Sequence, residues 1–126
     1  MTTSETAAAP RNTEEQVVRL SPVFDADGYP TDETLTAIRD WPYTDHGGLV
    51  EYVREAWSDY GRMWEEDGML RLATGGWSGN ESIISSLKAN AMFMAMWWES
   101  SHRGGLEVFR MQNGARRQQK QEGGKQ

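Results

Sequence analysis

Residues 74–109 read TGGWSGNESIISSLKANAMFMAMWWESSHRGGLEVF, and how this stretch divides decides the fold. Two glycine-rich segments bracket it: Thr74-Gly75-Gly76-Trp77-Ser78-Gly79 at the front and Arg103-Gly104-Gly105 near the end. Ser78-Gly79-Asn80-Glu81 matches a capping box, in which Ser78 caps the Glu81 amide and the Glu81 carboxylate reaches back. The match predicts a helix from about Ser78 to Asn90, with Ile83, Ile84 and Leu87 as its apolar face and Asn90 as a left-handed stop.

Beyond Asn90 two readings compete. Ile84, Leu87, Ala91, Met94, Ala95 and Trp98 fit a continued helical stripe. The aromatics, the two-sided hydrophobicity of Met92–Trp98, and the alternation of Leu106 and Val108 with Glu107 favour strands. The preferred reading is a strand from about Met94 to Ser100, a turn at Ser101-His102-Arg103-Gly104, and a return over Gly105–Met111.

Working backwards, Asp67-Gly68 is a preferred two-residue hairpin turn, flanked by Arg62–Glu66 and Met69–Ala73. That register sets Trp64 opposite Arg71, a candidate cation–π pair, and turns Met63, Leu70 and Leu72 to the core. Before it, Asp45 is a cap candidate, and Leu49, Tyr52, Val53, Ala56, Trp57 and Tyr60 follow a helical period up to a stop at Gly61. An earlier helix is expected from Thr31 or Asp32, with Leu35, Ile38 and Trp41 on one face and Pro42 ending it. Asp25-Ala26-Asp27-Gly28 has two positions of a calcium loop but lacks the remaining ligands, so it reads as a plain turn. The fold class is α+β, a small antiparallel sheet of two hairpins with helices packed on it, in the order α-α-β-β-α-β-β.

The 126 residues are expected to hold one domain over residues 21–111. Residues 1–20 read as a disordered segment, with Val17-Val18-Arg19-Leu20 a possible transient strand. Residues 112–126 read as a basic, disordered tail. Residues 21–111 carry fifteen carboxylates against seven Lys/Arg, whereas the tail has Arg116, Arg117, Lys120 and Lys125 against Glu122. An acidic body disfavours non-specific nucleic-acid binding and leaves only weak contact through the tail. It also suits a mimic of nucleic acid that occupies a basic protein. The chain has no cysteine, so disulfides and thiolate metal sites are excluded. Neither a membrane-spanning run nor a signal peptide is read, and the expected compartment is the cytoplasm.

Strand, glycine-rich loop and helix start is the arrangement that cradles anions through backbone N–H groups. Thr74, Gly75, Gly76, Trp77, Ser78, Gly79, Asn80 and Glu81 have that placement but lack the Lys-Ser/Thr of a nucleotide loop. Arg103, Gly104 and Gly105 would join them if the two loops meet, with Arg103 stacked on Trp77 or bonded to loop carbonyls. Trp98 and the Met/Trp run around it exceed what one side of a sheet can bury, so either the sheet is covered on both faces or part of that surface meets a partner. Two histidines, His46 and His102, make a poor metal site, and a Ser78/His102/Glu81 triad rests only on common residues. No catalytic residue, metal or cofactor is assigned.

The spacing of Thr74–Glu81, Asn90, Phe93, Trp98, Ser100, Arg103, Gly104, Gly105 and Phe109 resembles small uncharacterised proteins encoded by bacteriophages and prophages. They share a TGGWSGNE loop and a WxSxRGG-like turn. The likeness is weaker over Tyr29–Trp57. It implies a phage-related origin and expression inside a bacterial host, and brings no activity with it. Two expectations follow: a non-enzymatic accessory protein that binds a host or phage protein, or a small-molecule or nucleotide (anion) binder, with catalysis left open, using Gly75–Asn80 with Arg103.

Overall fold

The structure, a computed structural model, describes residues 20–111. The Val17–Arg19 part of the candidate strand and the basic tail lie outside the described residues. Helix α1 spans Asp32–Asp40, and a 3-10 turn at Tyr43–Asp45 leads into α2, His46–Ala56. The hairpin β1 (Arg62–Glu66) and β2 (Met69–Ala73) precedes α3 (Ser78–Ala89) and α4 (Ala91–Trp97). A second hairpin, β3 (Trp98–His102) and β4 (Leu106–Arg110), completes one antiparallel sheet in the order β1-β2-β4-β3. The fold is α+β, with one more helix than the sequence predicts. No helix among the described residues is long and apolar enough to cross a membrane.

Local chemistry sets most boundaries. Thr31 caps α1 through a bond from the Thr34 N–H, and Asp45 caps α2 through one from the Gly48 N–H. The Asp25 carboxylate accepts the Asp27 and Tyr29 N–H groups, and Gly28 takes a positive φ, so this segment is a turn. In the first hairpin Asp67 and Gly68 both have positive φ, the geometry of a type I′ turn. Trp64 faces Arg71 as the turn dictates. The predicted cation–π pair is nevertheless wrong in its cation: Arg62 lies 4.2 Å over the Trp64 ring. Arg71 donates instead to the Glu66 carbonyl and lies beside its carboxylate.

The expected end of α2 at Gly61 is also corrected. The helix ends at Ala56, and Trp57–Gly61 form a loop packed against the end of β2. A Cβ on Gly61 would meet the Ala73 carbonyl, so the glycine serves the close approach of two backbones and stops no helix.

Ser78 is not the cap of α3. Trp77 takes the extended cap position and Ser78 is already helical, so the expected capping box does not form. The Thr74 hydroxyl donates to the Glu81 carboxylate, and the Ser78 hydroxyl donates to the Tyr29 oxygen.

Asn90 is not a left-handed stop either: its φ of −85° and ψ of 94° are ordinary. It ends α3 and caps α4, accepting the Phe93 N–H. Its amide donates to the Ile38 and Trp41 carbonyls at the end of α1. This anchor overturns the strand expected from Met94. Once Phe93 is seated in the core beside Phe109, the good helix formers Ala and Met carry the helix to Trp97. The strand begins only at Trp98, runs through His102, and turns at Arg103-Gly104-Gly105, with a register shift between Trp98 and Ser100.

The core is one cluster. Ile38, Leu49, Val53, Leu70, Leu72, Ile83, Leu87, Phe93 and Phe109 are all essentially inaccessible. Met63 packs at its margin. Glu107 is buried in β4, where Lys88 of α3 and the Ser101 hydroxyl neutralise and bond its carboxylate.

Candidate functional site

The two glycine-rich loops do meet, and they meet as backbone. The Thr74 N–H donates to the Gly105 carbonyl at 3.0 Å. A Cβ on Gly105 would collide with the Thr74 hydroxyl. Thr74 is buried, and its hydroxyl also accepts the Gly76 N–H. Gly75, at φ +67°, sits so close to the Tyr60 carbonyl that any side chain would strike it.

Asn80 completes the junction from inside. It is fully buried; its carbonyl accepts the Ser58 N–H, and its amide donates to the Ser58 and Thr74 carbonyls. The Gly75–Asn80 segment therefore spends much of its polar capacity tying three loops together.

Arg103 does not complete this junction. It is exposed at the tip of the second hairpin and makes no hydrogen bond, ion pair or cation–π contact among the described residues. Gly104 and Gly105 share that turn, both at positive φ. The expectation that Arg103 stacks on Trp77 is therefore corrected. The partners of Trp77 are tyrosines: it stacks on Tyr29 at 4.9 Å between centroids and meets the Tyr60 ring, tilted, at 5.5 Å. Gly79 makes this possible, because its missing Cβ leaves room for the Trp77 indole.

These rings border a cleft of about 520 Å³. Phe24, Tyr29, Trp57, Tyr60 and Trp77 supply its aromatic lining, and Asp27 and Glu55 supply carboxylates. Among the described residues no lysine or arginine lines it. The Trp57 indole N–H is buried there without an acceptor among the described residues.

A second unusual surface lies on α4. Phe93 is buried, and Met94 and Trp97 pack at the core margin. Ala91, Met92, Ala95 and Met96 are exposed, and Trp98 continues the surface onto β3. Met92, Met96 and Trp98 each expose nearly half of their surface: 46%, 48% and 46%.

His46 begins α2 and is buried. The Trp97 indole donates to its Nδ1 at 2.7 Å, so the neutral ring carries its proton on Nε2, which has no acceptor among the described residues. Burial lowers the His46 pKa, against a smaller opposing pull from Asp45. A lowered histidine pKa means that the unfolded chain takes up the proton first. Stability is therefore expected to be complete above about pH 6.5 and to fall as pH drops from 6.5 through the lower folded value. Urea melts of the protein and of His46→Gln test this: the variant should show the shallower decline, and parallel profiles would refute it.

His102 pairs with Ser100, while Ser78 and Glu81 are bonded elsewhere, so the Ser78/His102/Glu81 triad is not assembled. No group of three or more His, Asp or Glu among the described residues is placed to hold a metal ion.

No protein-family model matches the chain, and no curated protein or solved structure matches it.

The site must therefore be read from its own geometry. Sequence reasoning singled out Trp77 and Trp98 but missed Tyr29, Tyr60, Phe24, Asp27 and Glu55. Tyr29 sits in a segment that reads only as a turn, and Tyr60 was assigned to a helical stripe. Nothing local marks them as neighbours of Trp77.

Proposed function

We propose that this is a phage-type accessory protein that binds a host or phage protein without catalysing a reaction, in the cytoplasm of a bacterial host. The supporting observation is the outer face of α4. A helix whose exposed side is Ala91, Met92, Ala95 and Met96, continuous with exposed Trp98, lacks the polar face of an ordinary surface helix. Methionine and tryptophan are enriched where proteins meet partners, because one is adaptable and the other brings a large contact area. Grouped exposure of this kind differs from scattered surface apolars, which need no explanation.

The alternative, an anion or nucleotide site at Gly75–Asn80 with Arg103, has less support. The Gly76 N–H is donated to Thr74 and the Asn80 side chain is consumed internally. Glu81 places a carboxylate in the first turn of α3, where it would repel an anion.

The test is a Met92→Lys/Met96→Lys double variant, used beside the unaltered protein in affinity capture from host lysate with and without phage infection. A specific partner should be retained by the unaltered chain and lost at least tenfold by the variant, with circular dichroism unchanged. Equal capture by a folded variant would remove this face from the function. Sedimentation of the pure protein separates a foreign partner from a second copy of the chain.

A further inference from the structure

We infer that the cleft bounded by Tyr29, Trp77 and Tyr60 is a binding site for a cationic side chain, the guanidinium of an arginine on a partner protein. This goes beyond the α4 surface, because the two sites are lined by different residues. Three features carry the assignment.

The first is the density of aromatic faces. Trp77 stacks on Tyr29 and meets Tyr60 at a tilt, and Phe24 and Trp57 line the same cleft. Phe24 and Tyr60 stay exposed at 43% and 72%, although both sit beside other apolar rings. Aromatic faces carry negative potential and attract cations.

The second is charge. Asp27 and Glu55 line the cleft, and neither carboxylate has a hydrogen-bond or ion-pair partner among the described residues. With no basic lining residue among the described residues, the cleft favours a cation over phosphate or nucleic acid.

The third is fixed geometry. Trp77 is seated over Gly79, Tyr29 is held by the Asp25 turn and by Ser78, and the Gly75 backbone packs against the Tyr60 carbonyl, which fixes the backbone that carries the third ring. The Trp77 and Tyr29 rings are positioned before any ligand arrives, which limits the ordering cost that falls on binding. Among cations, a guanidinium is planar and weakly hydrated, stacks on rings, and forks its donors to carboxylates. That combination matches stacked aromatics with two free carboxylates better than an ammonium does.

The full-length protein is titrated with three acetylated, amidated pentapeptides, Gly-Gly-X-Gly-Gly, in which X is arginine, lysine or citrulline. Citrulline keeps the shape of arginine and removes its charge. Binding is read from the indole N–H shifts in nuclear magnetic resonance. The arginine peptide should bind in the millimolar range and move the Trp77 and Trp57 signals, with the citrulline peptide at least tenfold weaker. Asp27→Asn/Glu55→Gln should weaken arginine binding at least fivefold, and so should Tyr60→Ala; all three residues are exposed, so the fold is expected to survive. The Met92→Lys/Met96→Lys variant should bind the arginine peptide normally, which keeps this site separable from the proposed partner surface. Equal binding of citrulline, stronger binding of lysine, an unaffected carboxylate variant, or no binding of any peptide would each overturn the assignment.

Discussion

Asn80→Ala is expected to destabilise the protein by about 3–4 kcal/mol, because it orphans groups on two loops at once. The amide holds the Ser58 N–H, the Ser58 carbonyl and the Thr74 carbonyl, and its side chain is completely buried. Each buried group that loses its partner costs about 1–3 kcal/mol, and alanine adds a small void. A domain of this size holds only about 5–15 kcal/mol in all, so the melting temperature should drop by about 20 °C. Asn80→Asp gives no relief: it keeps the acceptor for Ser58 but loses both donors and buries a carboxylate. Thermal and urea melts decide the matter, and a loss under about 1 kcal/mol for Asn80→Ala would show that these bonds are replaceable.

Asn90→Ala should cost about 3 kcal/mol for a related reason at the opposite end of α3. One side chain closes the end of α1 through the Ile38 and Trp41 carbonyls, and starts α4 through the Phe93 N–H. Asn90→Gly is the sharper test. If Asn90 were a left-handed helix stop, glycine would be harmless or better there. At the observed φ of −85° glycine gains nothing and loses all three bonds, so it should be at least as damaging as alanine. A glycine variant as stable as the parent would mean that the joint is a backbone preference and that the side-chain bonds contribute little.

These two asparagines also mark where the sequence stops being legible. Some signals that act over a few residues suffice on their own. The Asp67-Gly68 turn sets its own register, and the Asp45 cap satisfies an amide within its own first turn. The buried stripe of α2 through Leu49, Tyr52, Val53 and Ala56 needs only periodicity. Asn90 looked like a stop because its real partners, Ile38 and Trp41, lie in another helix. Without that anchor the run from Ala91 to Trp97 has no polar face to give it a period, and its aromatics tip the reading toward strand. Ser78 failed as a cap for a similar reason: the position of Trp77 is set by Gly79 and two tyrosines, and this moves the start of the helix. Of the candidate site, the sequence marked the glycine loops and their meeting, but Arg103 stands apart and the aromatic neighbours of Trp77 come from distant segments.

The strand order β1-β2-β4-β3 has a consequence for how the molecule opens. Each hairpin is sequence-local, but the inner pairing of β2 with β4 joins segments separated by all of α3 and α4. Pulling β4 away would bare Leu70 and Leu72, unseat Phe93 from Phe109, and break the Thr74–Gly105 bond. No half of the sheet can therefore detach while the other keeps its core, and the molecule should behave as one cooperative unit. Native-state hydrogen exchange should find the slowest amides of β2, β4 and α3 sharing a single opening free energy. A separable, earlier opening of the C-terminal hairpin would contradict this.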